Sequence, residues 1–111
     1  MTLGRKTAPE RVADFLLTMA RRIGTAKDGA IVMELPMSRR DIADSIGLTI
    51  ETVSRQFSLL RDEGVIETTG RARVCLLDRA GLEARSGRLA RAADIHRRNL
   101  RWINVDRIAP V

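Results

Sequence analysis

The stretch Ser38 to Ile66, SRRDIADSIGLTIETVSRQFSLLRDEGVI, holds two helix-like runs that meet across a glycine-containing corner. Ser38 is suited to cap the first run, with Asp41 placed to reach back to the cap. Ile42, Ala43 and Ile46 supply that run's inner face, and Gly47 ends it. Only Leu48 and Thr49 separate Gly47 from the second run. There Thr49 caps, and Val53, Phe57 and Leu60 recur at i, i+4 and i+7 before Gly64 stops the helix. So short a corner forces the two helices to pack at a steep angle, with small Ala43 at the approach and Val53 plugging the joint.

Upstream, Thr7 and Glu10 make a capping box around Pro9, which is tolerated because first-turn N–H groups have no intrahelical partner. Val12, Leu16, Met19 or Ala20, and Ile23 then recur at about 3.6-residue spacing, with Arg11, Asp14, Thr18, Arg21 and Arg22 on the opposite side. This predicts an amphipathic helix ending at Gly24. A loop around Lys27 to Gly29 leads to Ile31–Leu35, a short β-branched run closed by Pro36 and read as a strand. Downstream, Val65–Thr68 and Ala72–Leu77 flank Thr69-Gly70-Arg71 as a hairpin. Asp78 caps a brief helix through about Arg85.

The chain has 111 residues, enough for one domain and too few for two independent cores. We divide it into a domain over residues 1–86 and a basic tail over 87–111, whose Leu89, Ala92, His96, Leu100 and Ile103 mark one helical stripe. Aromatic residues make up only 3%, so the core must be aliphatic. The net charge of +6 points to a polyanionic partner. That charge is unevenly placed, because residues 38–63 carry 4 basic and 5 acidic groups whereas residues 88–107 carry 6 basic and 2 acidic. Any contact of the central stretch with nucleic acid must therefore rest on geometry rather than on bulk charge.

The order helix, strand, helix, tight turn, helix, hairpin predicts a mainly α fold with a small β wing (α+β), a winged helix-turn-helix. In that arrangement the helix over residues 50–63 pushes its N-terminal face into a major groove while the preceding helix is braced across the phosphates. Its outward set is Ile50, Glu51, Ser54 and Arg55, with Ser58 a turn further on. Arginine can donate two hydrogen bonds to guanine, glutamate can accept from cytosine N4, and serine serves several base edges. Thr49 and Thr52, together with the N-terminal amides, suit phosphate, and so do Ser38 and Arg39 on the bracing helix. Arg71 and Arg73 on the wing fit either phosphate contact or solvated hairpin charge. Taken alone, Glu51, Ser54 and Arg55 would also fit a solvated face carrying an i,i+4 Glu–Arg pair; the flanking helix, corner and hairpin favour base reading.

From Leu3 through about Arg85 the chain resembles the C-terminal DNA-binding domain of the Crp/Fnr family of bacterial transcription regulators, in particular its Fnr/FixK-like branch. The residues that carry the resemblance are Leu3–Ala8 with Glu10–Ala13, Leu35–Asp44, and Gly47–Arg55, the last containing the run Glu51-Thr52-Val53-Ser54-Arg55. The resemblance implies that Glu51, Ser54 and Arg55 read bases in an inverted repeat with TTGAT-like half-sites. RNA polymerase, and a homodimer or a heterodimer with a related regulator, stand beside DNA as candidate partners, although the resemblance does not carry over dimerisation or most activator contacts. Gln56 and Phe57 stand where the branch usually has Thr or Leu, and the family's sensor domain and long dimerisation helix have no counterpart in this sequence.

The remaining features point away from catalysis. There is no glycine-rich phosphate loop, no paired-ligand metal spacing and no nucleophile motif, so we expect neither an enzyme nor a cofactor. The single cysteine, Cys75, fits a half-exposed strand position and a reducing cytoplasm. His96 reads as a packing residue and Trp102 as an anchor of the tail. No apolar run approaches the roughly 18 residues a membrane span requires. Two other readings stand beside DNA binding: a module that docks on or competes with a full-length relative through its arginine-rich tail, and a fragment of a longer regulator.

Overall fold

Four side chains in the sequence are placed to accept a backbone N–H three residues on, and each opens a helix. In the computed structural model, which describes residues 6–87, Thr7, Ser38, Thr49 and Asp78 cap α1 (Ala8–Ile23), α2 (Arg39–Ile46), α3 (Ile50–Asp62) and α4 (Arg79–Ser86). The capping box of α1 is complete: Thr7 Oγ1 accepts from Glu10 N at 3.3 Å and Glu10 Oε1 accepts from Thr7 N at 2.9 Å. In α2 Ser38 Oγ accepts from Asp41 N at 3.1 Å. Replacing one such cap by alanine costs about 1 kcal/mol, so the four starts are individually fixed by local chemistry.

The strands are β1 (Thr25–Lys27), β2 (Ala30–Glu34), β3 (Ile66–Thr69) and β4 (Arg73–Leu76), in one antiparallel sheet of order β1-β2-β4-β3. The β3–β4 hairpin is the expected wing. Its second strand adds to β2 with Met33 opposite Val74 and Glu34 opposite Arg73. The segment around Lys27 to Gly29, expected as a loop, is instead the turn of a second hairpin. Asp28 and Gly29 both have positive φ, 51° and 81°, the pattern of a tight turn whose twist matches the strands it joins. All three residues of β1 are exposed, so that strand carries no apolar alternation to announce it.

α1 is the element that the others share. It packs against α4, α3, β2 and α2, with Val12, Ala13 and Leu16 fully buried. Ile42 and Ala43 of α2, Val53, Phe57 and Leu60 of α3, and Ile66, Val74 and Leu76 of the wing complete one continuous core. Cys75 is half-buried on β4, as its strand position suggested. Among the described residues no helix is long and apolar enough to cross a membrane, and no group of three His, Cys, Asp or Glu is arranged to hold a metal ion. The stripe expected in the basic tail, with His96 and Trp102, lies outside the described residues.

Three readings of individual residues change. Ile23, expected on the inner stripe of α1, is 40% exposed at the end of the helix. Ile50, expected on the outer face of α3, is half-buried and packs on the core. Arg11, expected on the solvent side of α1, is half-buried: its Nε donates to the Lys6 carbonyl and its Nη1 to the Ile46 carbonyl, both at 3.0 Å. That second bond reaches the last residue of α2, whose carbonyl would otherwise lack a partner where the helix stops.

α2 and α3 stop by the same device. Gly47 and Gly64 have φ of 73° and 74°, and the amides beyond them turn back, Leu48 N to the Ala43 carbonyl and Val65 N to the Leu60 carbonyl, both at 2.9 Å. Their surroundings differ. A Cβ on Gly47 would lie 2.9 Å from Arg11 Nη1, whereas one on Gly64 would meet nothing within 4 Å. Both Gly→Ala variants should lose about 1–2 kcal/mol to left-handed strain, and Gly47→Ala should lose about 1 kcal/mol more by dislodging the Arg11 bond. Urea unfolding of the two variants checks this, and equal losses would remove Arg11 from the account of the corner. Arg11→Met, which keeps the packing stem, should cost about 1–3 kcal/mol by orphaning the Ile46 carbonyl.

Candidate nucleic-acid interface

The residues singled out on α3 fall where the period placed them. Val53, Phe57 and Leu60 face inward, and Glu51, Ser54 and Arg55 are exposed together on the first two turns. Glu51 and Arg55 stand one turn apart, about 6 Å along the axis. Among the described residues, however, no ion pair joins them, and none of the three side chains makes a hydrogen bond within the protein. The solvated i,i+4 pair is therefore not formed, and the donors of Arg55 and the acceptors of Glu51 are left pointing outward from a helix start. Ser58, a turn further on, is half-buried and accepts from Arg61 Nη2 at 3.0 Å.

The expected phosphate anchors have more varied settings. Thr49 Oγ1 accepts from Thr52 N at 3.1 Å and donates to Thr52 Oγ1 at 2.9 Å, which leaves the Thr52 hydroxyl hydrogen to serve an outside acceptor. Ser38 is exposed and already accepts at its cap, so its hydroxyl retains one donor. These caps place the free amides of two helix starts, α2 and α3, next to hydroxyl donors, an arrangement that favours an anion.

Arg39 does something that its position in the sequence did not announce. Its guanidinium lies over the Phe57 ring, with Cζ 4.2 Å from the centroid, and its Nη1 donates to the Arg71 carbonyl at 3.4 Å. Burial, and after it the nearby charge of Arg61, hold the Arg39 pKa below the ordinary arginine value. The side chain thus covers the one aromatic residue of α3 with a cation, a contact worth about 0.5–1 kcal/mol at a half-exposed site. It also brings α2, α3 and the wing to one corner. Arg71 itself is exposed at the hairpin turn. Arg73 is held by Glu34 across the β2–β4 pairing, Nε to Oε2 at 2.8 Å, so of the two wing arginines Arg71 has the less engaged side chain.

The structure therefore gathers Ser38, Arg39 and Arg71 along one edge and Glu51, Ser54 and Arg55 on the helix start, while Arg73 belongs to the sheet. Sequence reading missed three things: the Arg11 clamp, the Arg39–Phe57 stack and the contacts of Arg61. The Arg11–Ile46 and Arg39–Phe57 contacts join residues on different helices, and Arg61 joins α3 to β3; periodicity within one helix carries no signal for such pairs. The one local hint was Phe57 itself, an aromatic where the resembling branch has a smaller residue.

A groove of about 480 Å³ lies between α1 and α2, lined by Lys6, Arg11, Asp14, Phe15, Thr18, Ser45 and Ile46. Arg11 is engaged there in its two backbone bonds, which makes this the flank of the corner rather than a second reading surface.

Comparison with known proteins agrees with this geometry. The model of the Crp-like helix-turn-helix domain matches residues 10–85. The chain is 52% identical over 83 residues to the nitrogen fixation regulation protein FixK of Azorhizobium caulinodans, covering 74% of this chain and 34% of that protein. It is 43% identical over 91 residues to the transcriptional activator protein FnrL of Cereibacter sphaeroides, covering 78% of this chain and 37% of that protein. The chain thus spans about a third of the length of the curated relatives it matches. Among solved structures, FixK2 from Bradyrhizobium japonicum superposes with a TM-score of 0.67 at 52% identity, over 75% of this chain and 40% of that one. The CO-dependent transcription factor CooA from Carboxydothermus hydrogenoformans gives 0.67 at 29% identity, over 71% and 36%. With four capped helices, a two-stranded wing and a family match that spans most of its length, this chain belongs to the Crp-like helix-turn-helix family.

Proposed function

We propose that this chain binds double-stranded DNA in a sequence-specific way and acts in transcription regulation, with α3 in the major groove. The observation that carries the proposal is the exposed, unpaired trio Glu51, Ser54 and Arg55 at the start of a helix whose angle is fixed by the Gly47 corner. Buried or paired, these groups would have structural work; exposed and unpaired, they are available to base edges. Arg55 reads guanine with two donors, Glu51 accepts from cytosine, and Ser54 completes the contact. Ser38, Arg39, Thr49, Thr52 and Arg71 hold phosphates on either side, and Arg73 contributes from the start of β4 once its exposed pair with Glu34 opens. The target is an inverted repeat with TTGAT-like half-sites, which two copies of the fold would straddle with recognition helices about one DNA turn apart. RNA polymerase and a related regulator are proposed partners of such a bound complex.

Titration by mobility shift on a two-half-site duplex, a single half-site and a scrambled duplex, at controlled salt, tests this. Arg55→Ala should cost about 1–3 kcal/mol on the specific duplex and relax the preference at one base pair. Arg71→Ala should weaken all three duplexes alike and lower the salt slope by about one. Stability should change by less than about 0.5 kcal/mol for Glu51→Ala, Ser54→Ala and Arg55→Ala, since none of the three supports the fold. Equal affinity of the unaltered chain for all three duplexes would sink sequence-specific recognition.

A further inference from the structure

Arg61 sits on the last turn of α3, beyond the residues assigned to bases, and has no carboxylate partner among the described residues. Its neighbour Glu63 is taken by Arg85 of α4. Arg61 instead donates to two neutral hydroxyls, Nη2 to Ser58 Oγ at 3.0 Å and Nη1 to Thr68 Oγ1 at 3.1 Å. Ser58 belongs to α3 and Thr68 to β3, so one planar group bridges the recognition helix and the first strand of the wing. Thr68 pairs with the fully buried Val74 of β4 and stands shortly before the turn that carries Arg71. Within that turn Arg39 takes the Arg71 carbonyl. The wing is thus held to the helix pair at its first strand and at its turn, by two guanidinium groups that repel one another and are kept together by hydroxyl, carbonyl and ring partners.

We propose that Arg61 is a positioning residue for DNA recognition: by joining Ser58 to Thr68 it sets the pose of the wing relative to α3, and so decides whether Arg71 reaches the phosphates flanking the half-site. This rests on the DNA-binding reading above, and extends it from which residues touch DNA to what aligns the two contacting elements. Arg61 acts through Thr68, not through a phosphate of its own. A flexible lysine would keep the charge but not the fork, because its single nitrogen lacks the fixed geometry that spans both hydroxyls.

A double-mutant cycle on the full chain separates the alternatives. Arg61→Ala and the near-isosteric Thr68→Val should each weaken binding to the two-half-site duplex roughly three- to tenfold. The double variant should be no weaker than Arg61→Ala alone, because both remove the same link. Arg71→Ala, costly in the unaltered chain, should have little further effect in the Arg61→Ala background. A harmless Thr68→Val, or losses that add in the double variant, would instead make Arg61 a direct phosphate contact and overturn the proposal. A readout without DNA stands apart from the binding function. Amide hydrogen exchange in residues 66–76 of the free chain should rise in Arg61→Ala and in Thr68→Val while α1 is unchanged. Unaltered exchange there would overturn the positioning role even if the chain binds DNA, whereas raised exchange in a chain that ignores sequence would place the failure in the proposed function.

Discussion

The Ile46 carbonyl is the last acceptor of α2, and where its hydrogen bond goes decides the angle at which α3 leaves. Gly47 takes a left-handed conformation that only glycine adopts without strain, so the chain turns away at once and the Leu48 amide returns to Ala43. That turn leaves the Ile46 carbonyl outside the backbone pattern, and Arg11 reaches over from α1 to satisfy it. The same guanidinium holds the Lys6 carbonyl, so the entry to α1 and the exit from α2 are tied to one planar group. Ala43, Val53 and Leu16 are buried together in the core that these helices share. Without this bond α3 would still be a helix, since Thr49 caps it and its inner face is apolar, and its angle would rest on the core packing of Val53, Phe57 and Leu60 alone.

Charge follows a related division of labour. The helix pair is slightly acidic over residues 38–63, an unusual composition for a surface proposed to meet a polyanion. The difficulty dissolves once the groups are sorted by what they touch. Glu51 stands at the start of α3, where the helix dipole favours a carboxylate and where a base donor can replace its water. Asp41 and Asp78 lie at helix starts too, and Glu34, Glu63 and Glu83 are matched by Arg73, Arg85 and Arg79. Among the described residues Arg39, Arg61 and Arg71 at the α2–α3–wing corner have no carboxylate partner, which adds positive charge at the edge of the face that carries Arg55.

The parts legible in the sequence were those decided locally. Helix starts at Thr7, Ser38, Thr49 and Asp78 were readable because a cap needs only its own side chain and an amide three residues on. The inner faces of α1 and α3 were readable because burial repeats with the helix period, and the wing because Gly70 marks its turn. β1 was not, since an exposed three-residue strand borrows its order from β2 and shows only the Asp28-Gly29 turn. Ile50 was placed outward by angle alone, yet the first turn of α3 abuts the core where the corner brings it close. Arg11 and Arg39 were assigned to solvent and to phosphate because an arginine looks the same in sequence whether it solvates, clamps a carbonyl or stacks on a ring. Identifying their partners requires the folded arrangement of α1, α2 and the wing.

The wing shows why such contacts carry weight beyond their small individual energies. Its lower half is fixed by burial, with Ile66, Val74 and Leu76 in the core, and there a shift of register would expose apolar surface. Its upper half, from Thr68 round to Arg73, is mostly exposed and has no comparable apolar restraint. In that zone the Leu35 amide donates to the Ala72 carbonyl at 2.8 Å, and three exposed side-chain links join it: Arg61 to Thr68, Arg39 to the Arg71 carbonyl, and Arg73 to Glu34. Each is worth about 1 kcal/mol or less in water, too little to decide whether the domain folds. It is enough to bias where a hinged hairpin tip spends its time, because a population ratio changes tenfold for about 1.4 kcal/mol. Stability is therefore set by the aliphatic core and the caps, and the aim of the wing by arginines that contribute little to folding, so the two can change independently.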